Sequence, residues 1–183
     1  VGIRGDDQSQ KQLRFSLFHL SGLALPEDDH VSLGAKGLHG NGYSGQVFWD
    51  TEVYLVPFFI FTDPEAARAL LGFRCHGLAD ARRNAEALGA RGGKFPWNAS
   101  TQTSREHPHP GWQEHLNADI AWAVDLYVTA TGDTRFYRDC GARLILETAA
   151  YWPSRLAYDA GQDRYVMRNV QGPDEIHRGI ENN

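Results

Sequence analysis

The chain has 183 residues, enough for about one domain, and 42% of them are hydrophobic and 22% charged, which favours a folded core and excludes a disordered chain. The net charge is −5, whereas a duplex-binding domain normally carries a basic excess, so nucleic acid is excluded as a first hypothesis. No apolar run approaches the ~20 residues that cross a bilayer, and the charged N-terminus lacks the apolar stretch of a signal peptide. Cys75 and Cys140 lie far apart, without a Cys-x-x-Cys motif or a disulfide-rich framework. These features predict a soluble, cytoplasmic, helix-rich protein that contacts no membrane.

Three helices are predicted in the first half of the chain. Residues 10–24 carry leucines at helical spacing, and residues 47–61 are apolar on nearly every face, which is typical of a buried helix. Asp63 stands at an N-cap position with Pro64 at the first helical position, so a third helix begins there sharply. Its apolar stripe predicts one continuous helix that ends at Gly89.

Two further helices are predicted in the second half. An apolar stripe that begins at Leu116 predicts a fourth helix, which Gly132 ends. Asp133 then caps a fifth helix, whose stripe runs from Tyr137 to Tyr151, and residues 165–168 are the only β-like stretch. Helices of this length, joined alternately by tight turns and long loops, predict an all-α fold of stacked helical hairpins.

Two long polar or Gly-rich connections, residues 28–46 and 90–111, separate the helices, and long loops in a compact domain are usually functional. Residues 40–45 match the dinucleotide pattern G-x-G-x-x-G, but that pattern is informative only after a strand within a βαβ unit. We favour a loop whose glycines let the main chain pass close to a ligand or a helix.

The Glu-His-Pro-His segment at residues 106–109 offers three metal ligands, but without a partner at a recognisable spacing a surface loop is the better interpretation.

Three short blocks combine aromatic, polar and acidic residues: Phe-Trp-Asp-Thr-Glu at 48–52, Phe-Pro-Trp-Asn at 95–98 and Gly-Pro-Asp-Glu-Ile-His at 172–177. A Trp beside a carboxylate suits a sugar site, because the ring covers the apolar face of a pyranose and the carboxylate accepts hydrogen bonds from its hydroxyls. The alternative is a core aromatic residue followed by acids that favour the helix dipole. In the third block, Asp174 and Glu175 raise each other's pKa, so one of them can donate a proton near neutral pH; the alternative is an exposed acidic turn.

Taken together, these blocks are similar to the central catalytic domain of glycoside hydrolase family 65. The family contains maltose, trehalose, kojibiose and nigerose phosphorylases and some trehalose hydrolases. The resemblance follows the chain in order through residues 34–52, 95–97, 115–121, 131–133, 147–149, 172–175 and 182–183. It implies an (α/α)₆ toroid of helical hairpins with the sugar pocket at one end. Residues 1–183 would then form about half of the ring, truncated after Asn183, with the phosphate site in the remainder.

The resemblance also assigns roles to particular residues. Glu175 would be the general acid, and Trp49 and Asp50 would hold the glycosyl unit undergoing attack. Trp97 and Asn98 would lie near the leaving sugar. The sequence departs from the family at four positions. Asn41 and Asn98 stand where the family usually has Glu, Gln46 stands where it has His, and Ile176 stands where it has Tyr. The contacts to the acceptor sugar, and hence the linkage, therefore do not follow from the resemblance.

The function predicted on this basis is an inverting phosphorylase that splits an α-linked glucose disaccharide into a sugar 1-phosphate and glucose. Inorganic phosphate would be its co-substrate, with no other cofactor and no metal, and the whole enzyme would form a homodimer. An inverting hydrolase of the same family is the first alternative, since water in place of phosphate needs only an additional carboxylate base. A non-catalytic sugar-binding module, or an inert fragment, is the alternative from another class.

Overall fold

The computed structural model describes residues 2–40, 42–100, 113–174 and 176–182, and most of this part of the chain is helical. Its α-helices are α1 (Asp7–Ser21), α2 (Val56–Thr62), α3 (Pro64–His76), α4 (Leu78–Ala87), α5 (Leu116–Thr131), α6 (Thr134–Phe136) and α7 (Ala142–Arg155). A 3₁₀ turn covers Gly42–Gly45, and π-helical turns cover Thr51–Leu55 and Tyr137–Gly141. Two strands, β1 (Leu156–Asp159) and β2 (Arg164–Met167), follow α7. No helix in the described ranges is both long and apolar enough to span a bilayer.

Helix α3 begins as predicted but ends early. The Asp63 carboxylate accepts a hydrogen bond from the Ala66 backbone N–H at 3.2 Å, and Pro64 is the first helical residue. The prediction of one helix as far as Gly89 is wrong, because α3 ends at His76 and α4 begins after Gly77. The break leaves the apolar stripe buried on both helices, so the pattern alone did not reveal it.

The apolar segment at residues 47–61 is only partly helical and only partly buried. Val47 forms an antiparallel bridge with Ala99, and the helical part passes through the π-turn before α2 begins. Tyr54 and Phe61 are 61% and 75% exposed, so the expectation of burial on nearly every face is wrong for these two side chains.

Helices α5 and α7 follow the prediction more closely. Gly132 ends α5 in the left-handed region at φ 71°, where glycine carries no steric penalty. Asp133 caps α6 by accepting a hydrogen bond from the Phe136 N–H at 2.9 Å. The predicted stripe on this segment is buried except at its first member, Tyr137, which is 41% exposed.

The core lies where α2, α3 and α5 pack together, with α7 against α5. Its largest members are aliphatic and aromatic side chains that are almost fully buried: Phe59, Leu70, Leu71, Phe95, Leu116, Ile120, Phe136 and Leu144. Helix α1 contributes no buried residue, and its Phe15 and Phe18 are 65% and 75% exposed. This core supports the start of the Thr51–Leu55 turn, where the Trp49–Asp50 pair lies.

The strands form an antiparallel hairpin in which Leu156 pairs with Met167 and Asp159 pairs with Arg164. The β-like stretch at residues 165–168 therefore corresponds to β2, whereas β1 was not predicted. In the described part of the chain no strand precedes the glycine-rich turn at Gly42–Gly45, and the only sheet is this hairpin. The dinucleotide interpretation of residues 40–45 has no βαβ unit to support it.

The two cysteines, which are far apart in the sequence, are paired. Cys75 on α3 and Cys140 in the second π-turn form a disulfide with their Cα atoms 6.0 Å apart, a normal separation for such a bond. They are 65 residues apart in sequence, so the bond closes a long loop. The sequence reasoning did not address this pairing, because cysteine spacing in sequence says little about the distance between helices.

Candidate functional site

A cavity of about 390 Å³ opens between α1, the first long connection and the start of the Thr51–Leu55 turn. Its walls combine apolar side chains with a few polar groups, a composition that is typical of small-molecule sites. The polar groups come from His19, Lys36, His39, Asp50 and Tyr54. The cavity is therefore the natural starting point for locating a sugar-binding site.

The glycine-rich connection forms one wall of this cavity through a close approach of its two ends. A Cβ atom on Gly34 would lie 3.1 Å from the backbone of Gly45, so a larger residue at position 34 would push the two ends apart. The Ala35 N–H donates to the Gln46 carbonyl at 3.1 Å and holds the ends together. The main chain does pass closely at Gly34, but its neighbour is the backbone of Gly45 in the same connection, neither the ligand nor the helix that was expected.

Asp50 lies at the cavity wall and is exposed. A carboxylate in this position can reach a ligand without being removed from solvent beforehand. The next residue, Thr51, is buried, and its hydroxyl lies 3.5 Å from the Leu33 carbonyl in the opposite wall. The turn that carries Asp50 is thus anchored beside the cavity.

The first two aromatic blocks are neighbours in space. The Val47–Ala99 bridge joins them through backbone hydrogen bonds of 2.7 and 2.9 Å. The ring of Phe48, which lines the cavity, meets the ring of Trp97 edge to face at a centroid distance of 5.4 Å. Trp97 Nε1 and Asn98 Oδ1 are buried, and neither has a hydrogen-bond partner among the described residues. A donor and an acceptor without partners, next to a cavity wall, are groups that a polar ligand can satisfy.

Trp49 is half-buried between two other rings and does not itself line the cavity. Its ring centroid lies 5.0 Å from His115 and 5.8 Å from Tyr54. His115 Nδ1 lies 2.7 Å from a carboxylate oxygen of Asp119, one helical turn further along. The indole is therefore placed by a histidine whose orientation a carboxylate sets.

Glu52 has a different environment from Asp50, although the two belong to the same block. Its side chain is buried and accepts two hydrogen bonds from Arg74, Nε to Oε1 at 2.7 Å and Nη2 to Oε2 at 2.9 Å. The guanidinium also lies over the rings of Phe73 and Phe95, with centroid distances of 5.6 and 5.9 Å. Glu52 therefore ties the Asp50 turn to α3 and to the second aromatic block.

The third block is described except for Glu175, which lies outside the described residues. Asp174 is exposed, and its carboxylate accepts from the Ile176 N–H at 2.7 Å and contacts His177 Nδ1. The His177 hydrogen bond, followed by that from Ile176, lowers the pKa of Asp174. The expectation that the pKa of Asp174 is raised is therefore wrong, and the acid role of Glu175 stays a prediction.

Arg155 connects the main chain at Arg168 to the segment behind Trp49. Arg155 at the end of α7 donates from Nε to the buried Glu114 at 2.6 Å and from Nη2 to the Arg168 carbonyl at 3.4 Å. Glu114 is the residue before His115, which contacts Trp49. One arginine thereby links the end of the β-hairpin to the segment that carries His115.

Sequence reasoning missed the cavity residues His19, Lys36, His39 and Tyr54, as well as the support from His115. For His115 a signal existed, since His and Asp four residues apart face each other on a helix. The others carry none, because isolated polar residues become neighbours only when α1 and the first connection fold against the turn. The candidate metal segment at residues 106–109 lies outside the described residues.

Comparison with known proteins agrees with this picture. The model of the glycosyl hydrolase family 65 central catalytic domain matches residues 14–183. The chain is 44% identical to a kojibiose phosphorylase from Caldanaerobacter subterraneus subsp. tengcongensis, covering 100% of this chain and 26% of that protein. It is 39% identical to an alpha,alpha-trehalose phosphorylase from Thermoanaerobacter brockii, covering 100% of this chain and 24% of that protein.

A solved structure described as "Putative kojibiose phosphorylase from human microbiome" superposes with a TM-score of 0.90 at 29% identity, covering 98% of this chain and 24% of that one. The chain thus spans about a quarter of the length of the relatives that it matches. The family match includes all three blocks and the turn that carries Asp50. On this basis the chain belongs to glycosyl hydrolase family 65, within the central catalytic domain.

Proposed function

We propose that this chain is part of an inverting glycoside phosphorylase that acts on an α-linked glucose disaccharide. The observation that carries the proposal is a cavity lined by Phe48 and the exposed Asp50, with Trp97 of the second aromatic block packed against Phe48. The relatives, named as kojibiose, trehalose, nigerose and 1,2-alpha-glucosylglycerol phosphorylases, support the same reaction class. In the whole protein the hairpins would close into an (α/α)₆ toroid, of which residues 1–183 are one part.

In the proposed reaction, Glu175 protonates the glycosidic oxygen while phosphate attacks the anomeric carbon from the opposite face. The C–O bond to the leaving glucose breaks as the C–O bond to phosphate forms, through an oxocarbenium-like transition state. Phosphate is already an anion and needs no protein base. Asp50 would accept hydrogen bonds from hydroxyls of the attacked glucosyl unit. Trp49 does not line the Asp50 cavity, so its contact with the apolar face of that unit stays a prediction.

Trp97 and Asn98 would lie beside the leaving glucose. Their unpartnered indole N–H and amide oxygen support this role, because a sugar hydroxyl can both accept and donate a hydrogen bond. Asn98 is neutral where the family usually carries a carboxylate. We therefore expect weaker charge-assisted contacts to the acceptor sugar than a glutamate would make.

The test is phosphate-dependent cleavage by the intact protein of kojibiose, trehalose, nigerose and maltose. Formation of β-glucose 1-phosphate, detected by NMR, is the expected result. Glucose release that is independent of phosphate would replace the phosphorylase with the hydrolase alternative. Sugar binding without turnover, or no binding at all, would favour the non-catalytic module or inert fragment.

Within that experiment, Asp50→Asn is expected to lower kcat/KM by roughly 10- to 150-fold, the equivalent of one charge-assisted hydrogen bond of about 1.5–3 kcal/mol. Asp125→Asn is the matched control, because Asp125 is exposed on α5 and does not line the cavity. Glu175→Gln is expected to lose about 10²–10⁴-fold on disaccharides and less on a glucosyl fluoride, whose leaving group hardly needs a proton. Equal losses on both substrates would remove Glu175 from the acid role.

A cytoplasmic location and a homodimeric whole enzyme stay predictions. Cell fractionation tests the first and size-exclusion chromatography with light scattering tests the second.

A further inference from the structure

Three potential metal ligands converge at the C-terminal end of α3. Asp29 and His30 lie in the connection after α1, and His76 is the last residue of α3. Their ligand atoms all lie within 4.8 Å of one another. This site is separate from the Asp50 cavity, and none of the three residues lines that cavity.

The geometry is close to what a four-coordinate ion requires. Asp29 Oδ1 lies 3.0 Å from His76 Nε2 and 3.8 Å from His30 Nε2. An ion with bonds of ~2.0–2.1 Å in a tetrahedral site needs ligand atoms roughly 3.3 Å apart, which falls between these two distances. The two imidazole rings stack with a centroid distance of 3.9 Å and an angle of 18°, and both Nε2 atoms have Asp29 Oδ1 as a neighbour. Because an imidazole nitrogen binds a metal in the plane of its ring, one of these two exposed rings must rotate for both Nε2 atoms to bind one ion.

Two features of the surrounding chain hold the ligands in place. The Asp28 carboxylate accepts a hydrogen bond from the His30 N–H at 2.9 Å, which fixes the backbone of the turn. Gly72 on α3 allows Asp29 to approach the helix, because a Cβ there would lie 2.7 Å from Asp29 Cβ and 3.0 Å from Asp29 Oδ2. The carboxylate therefore reaches the end of α3 only because residue 72 has no side chain.

We propose that Asp29, His30 and His76 form a binding site for a divalent transition-metal ion of the Zn²⁺ class. Two imidazoles and one carboxylate suit Zn²⁺, Cu²⁺ or Ni²⁺ and are a poor donor set for Mg²⁺, which prefers oxygen ligands. The carbonyl end of a helix also favours a nearby cation, and His76 lies at that end of α3. With three protein ligands, one position stays open to water.

The consequence of metal binding would be local order in the first connection. Residue 30 is followed by Val31, Ser32 and Leu33, which line a second, largely apolar cavity of about 310 Å³. Leu33 also belongs to the wall of the Asp50 cavity. An ion that ties His30 to the end of α3 would thus stabilise the strand of chain that separates the two cavities.

The test is calorimetric titration of the intact protein with Zn²⁺ and, separately, Mg²⁺. The double variant His30→Ala/His76→Ala is expected to lose one Zn²⁺ equivalent or to bind it at least about 10-fold more weakly. His177→Ala is the matched control, because His177 is likewise exposed and paired with a carboxylate, and it should bind as the wild type does. Mg²⁺ should bind no differently to any of these proteins.

Gly72→Ala supplies an independent arm, because it keeps all three ligands and displaces only Asp29. Gly72→Ala should weaken Zn²⁺ binding. The electron paramagnetic resonance spectrum of bound Cu²⁺ should show two nitrogen ligands in Gly72→Ala and should no longer show them in the double variant. Circular dichroism of each variant establishes that it is folded. Equal Zn²⁺ stoichiometry and affinity in the wild type and the double variant would overturn the proposal, as would absence of Zn²⁺ binding to the wild type.

Discussion

Breaking the buried ion pair between Glu52 and Arg74 tests how the Asp50 turn is held. Both side chains are almost completely excluded from water, with exposures of 1% and 0%, and two hydrogen bonds join them. Glu52 lies two residues after Asp50, and Arg74 lies on α3, so the pair connects the Asp50 turn to that helix. Its loss should therefore affect both stability and sugar binding.

The magnitude follows from what each substitution leaves behind. Arg74→Met leaves the Glu52 carboxylate buried without its counter-charge, and Glu52→Leu leaves the Arg74 guanidinium buried without its own. Removing one member of a buried pair costs about 3–5 kcal/mol, whereas replacing both members by apolar residues is often close to neutral. The double variant Glu52→Leu/Arg74→Met should thus be more stable than either single variant, with a coupling energy of several kcal/mol.

The assay is hydrogen exchange in increasing urea, which reports the free energy of opening for peptides from α3 in the intact protein. The surface pair of Arg135 and Asp139, at 3.6 Å with exposures of 83% and 62%, is the control, and its disruption should cost no more than about 1 kcal/mol. If the single variants at Glu52 and Arg74 lose no more than this control, or if their losses simply add in the double variant, the reasoning is refuted.

Two further predictions concern α5 and the disulfide. Burial, followed by the hydrogen bond to Asp133, raises the pKa of Tyr127 to about 12 from its ordinary value of 10.0. The neutral tyrosine therefore contributes fully to the free energy of unfolding below pH ~10, and this contribution is lost as the pH rises towards 12. Alkaline unfolding curves of wild type and Tyr127→Phe should show this loss only in the wild type, and identical curves would contradict the Tyr127 prediction. The second prediction concerns the disulfide: reduction of the Cys75–Cys140 bond should lower the free energy of unfolding by up to about 4 kcal/mol, because the bond closes a loop of 65 residues. Calorimetry with and without a thiol reductant measures this loss of stability. The double variant Cys75→Ala/Cys140→Ala is the control and should be insensitive to the reductant. A wild type that is equally insensitive would contradict the prediction.

Local patterns predicted the helices well wherever a capping residue marked a boundary. Asp63 and Asp133 are both N-caps in the structure, and Gly132 ends α5, because these signals depend only on backbone groups within one turn. The break at Gly77 was missed because its φ of −75° is ordinary for any residue, so nothing local distinguishes it from helix. What separates α3 from α4 is the packing of each against different neighbours.

Contacts between distant segments lay beyond the sequence patterns. The Cys75–Cys140 bond, the Trp49–His115 contact and the Val47–Ala99 bridge each join residues about 50 or more positions apart. No periodicity carries information at that range. The likeness to a known family brought the blocks together in one site before any contact between them was visible, and the chain's membership of that family is confirmed by the match to residues 14–183.

The Asp-Thr-Glu sequence at residues 50–52 shows how one short motif can hold two acids with opposite roles. Successive residues in a helical turn point about 100° apart, so side chains two positions apart face nearly opposite directions. Asp50 is exposed at the cavity, whereas Glu52 is buried and neutralised by Arg74. A buried carboxylate needs a paired cation, while a sugar-binding carboxylate needs access to the ligand, and one turn satisfies both requirements only if the acids are spaced this way. If Asp50 binds sugar as proposed, this spacing is also what lets Glu52 support its turn from the core without competing for the same ligand.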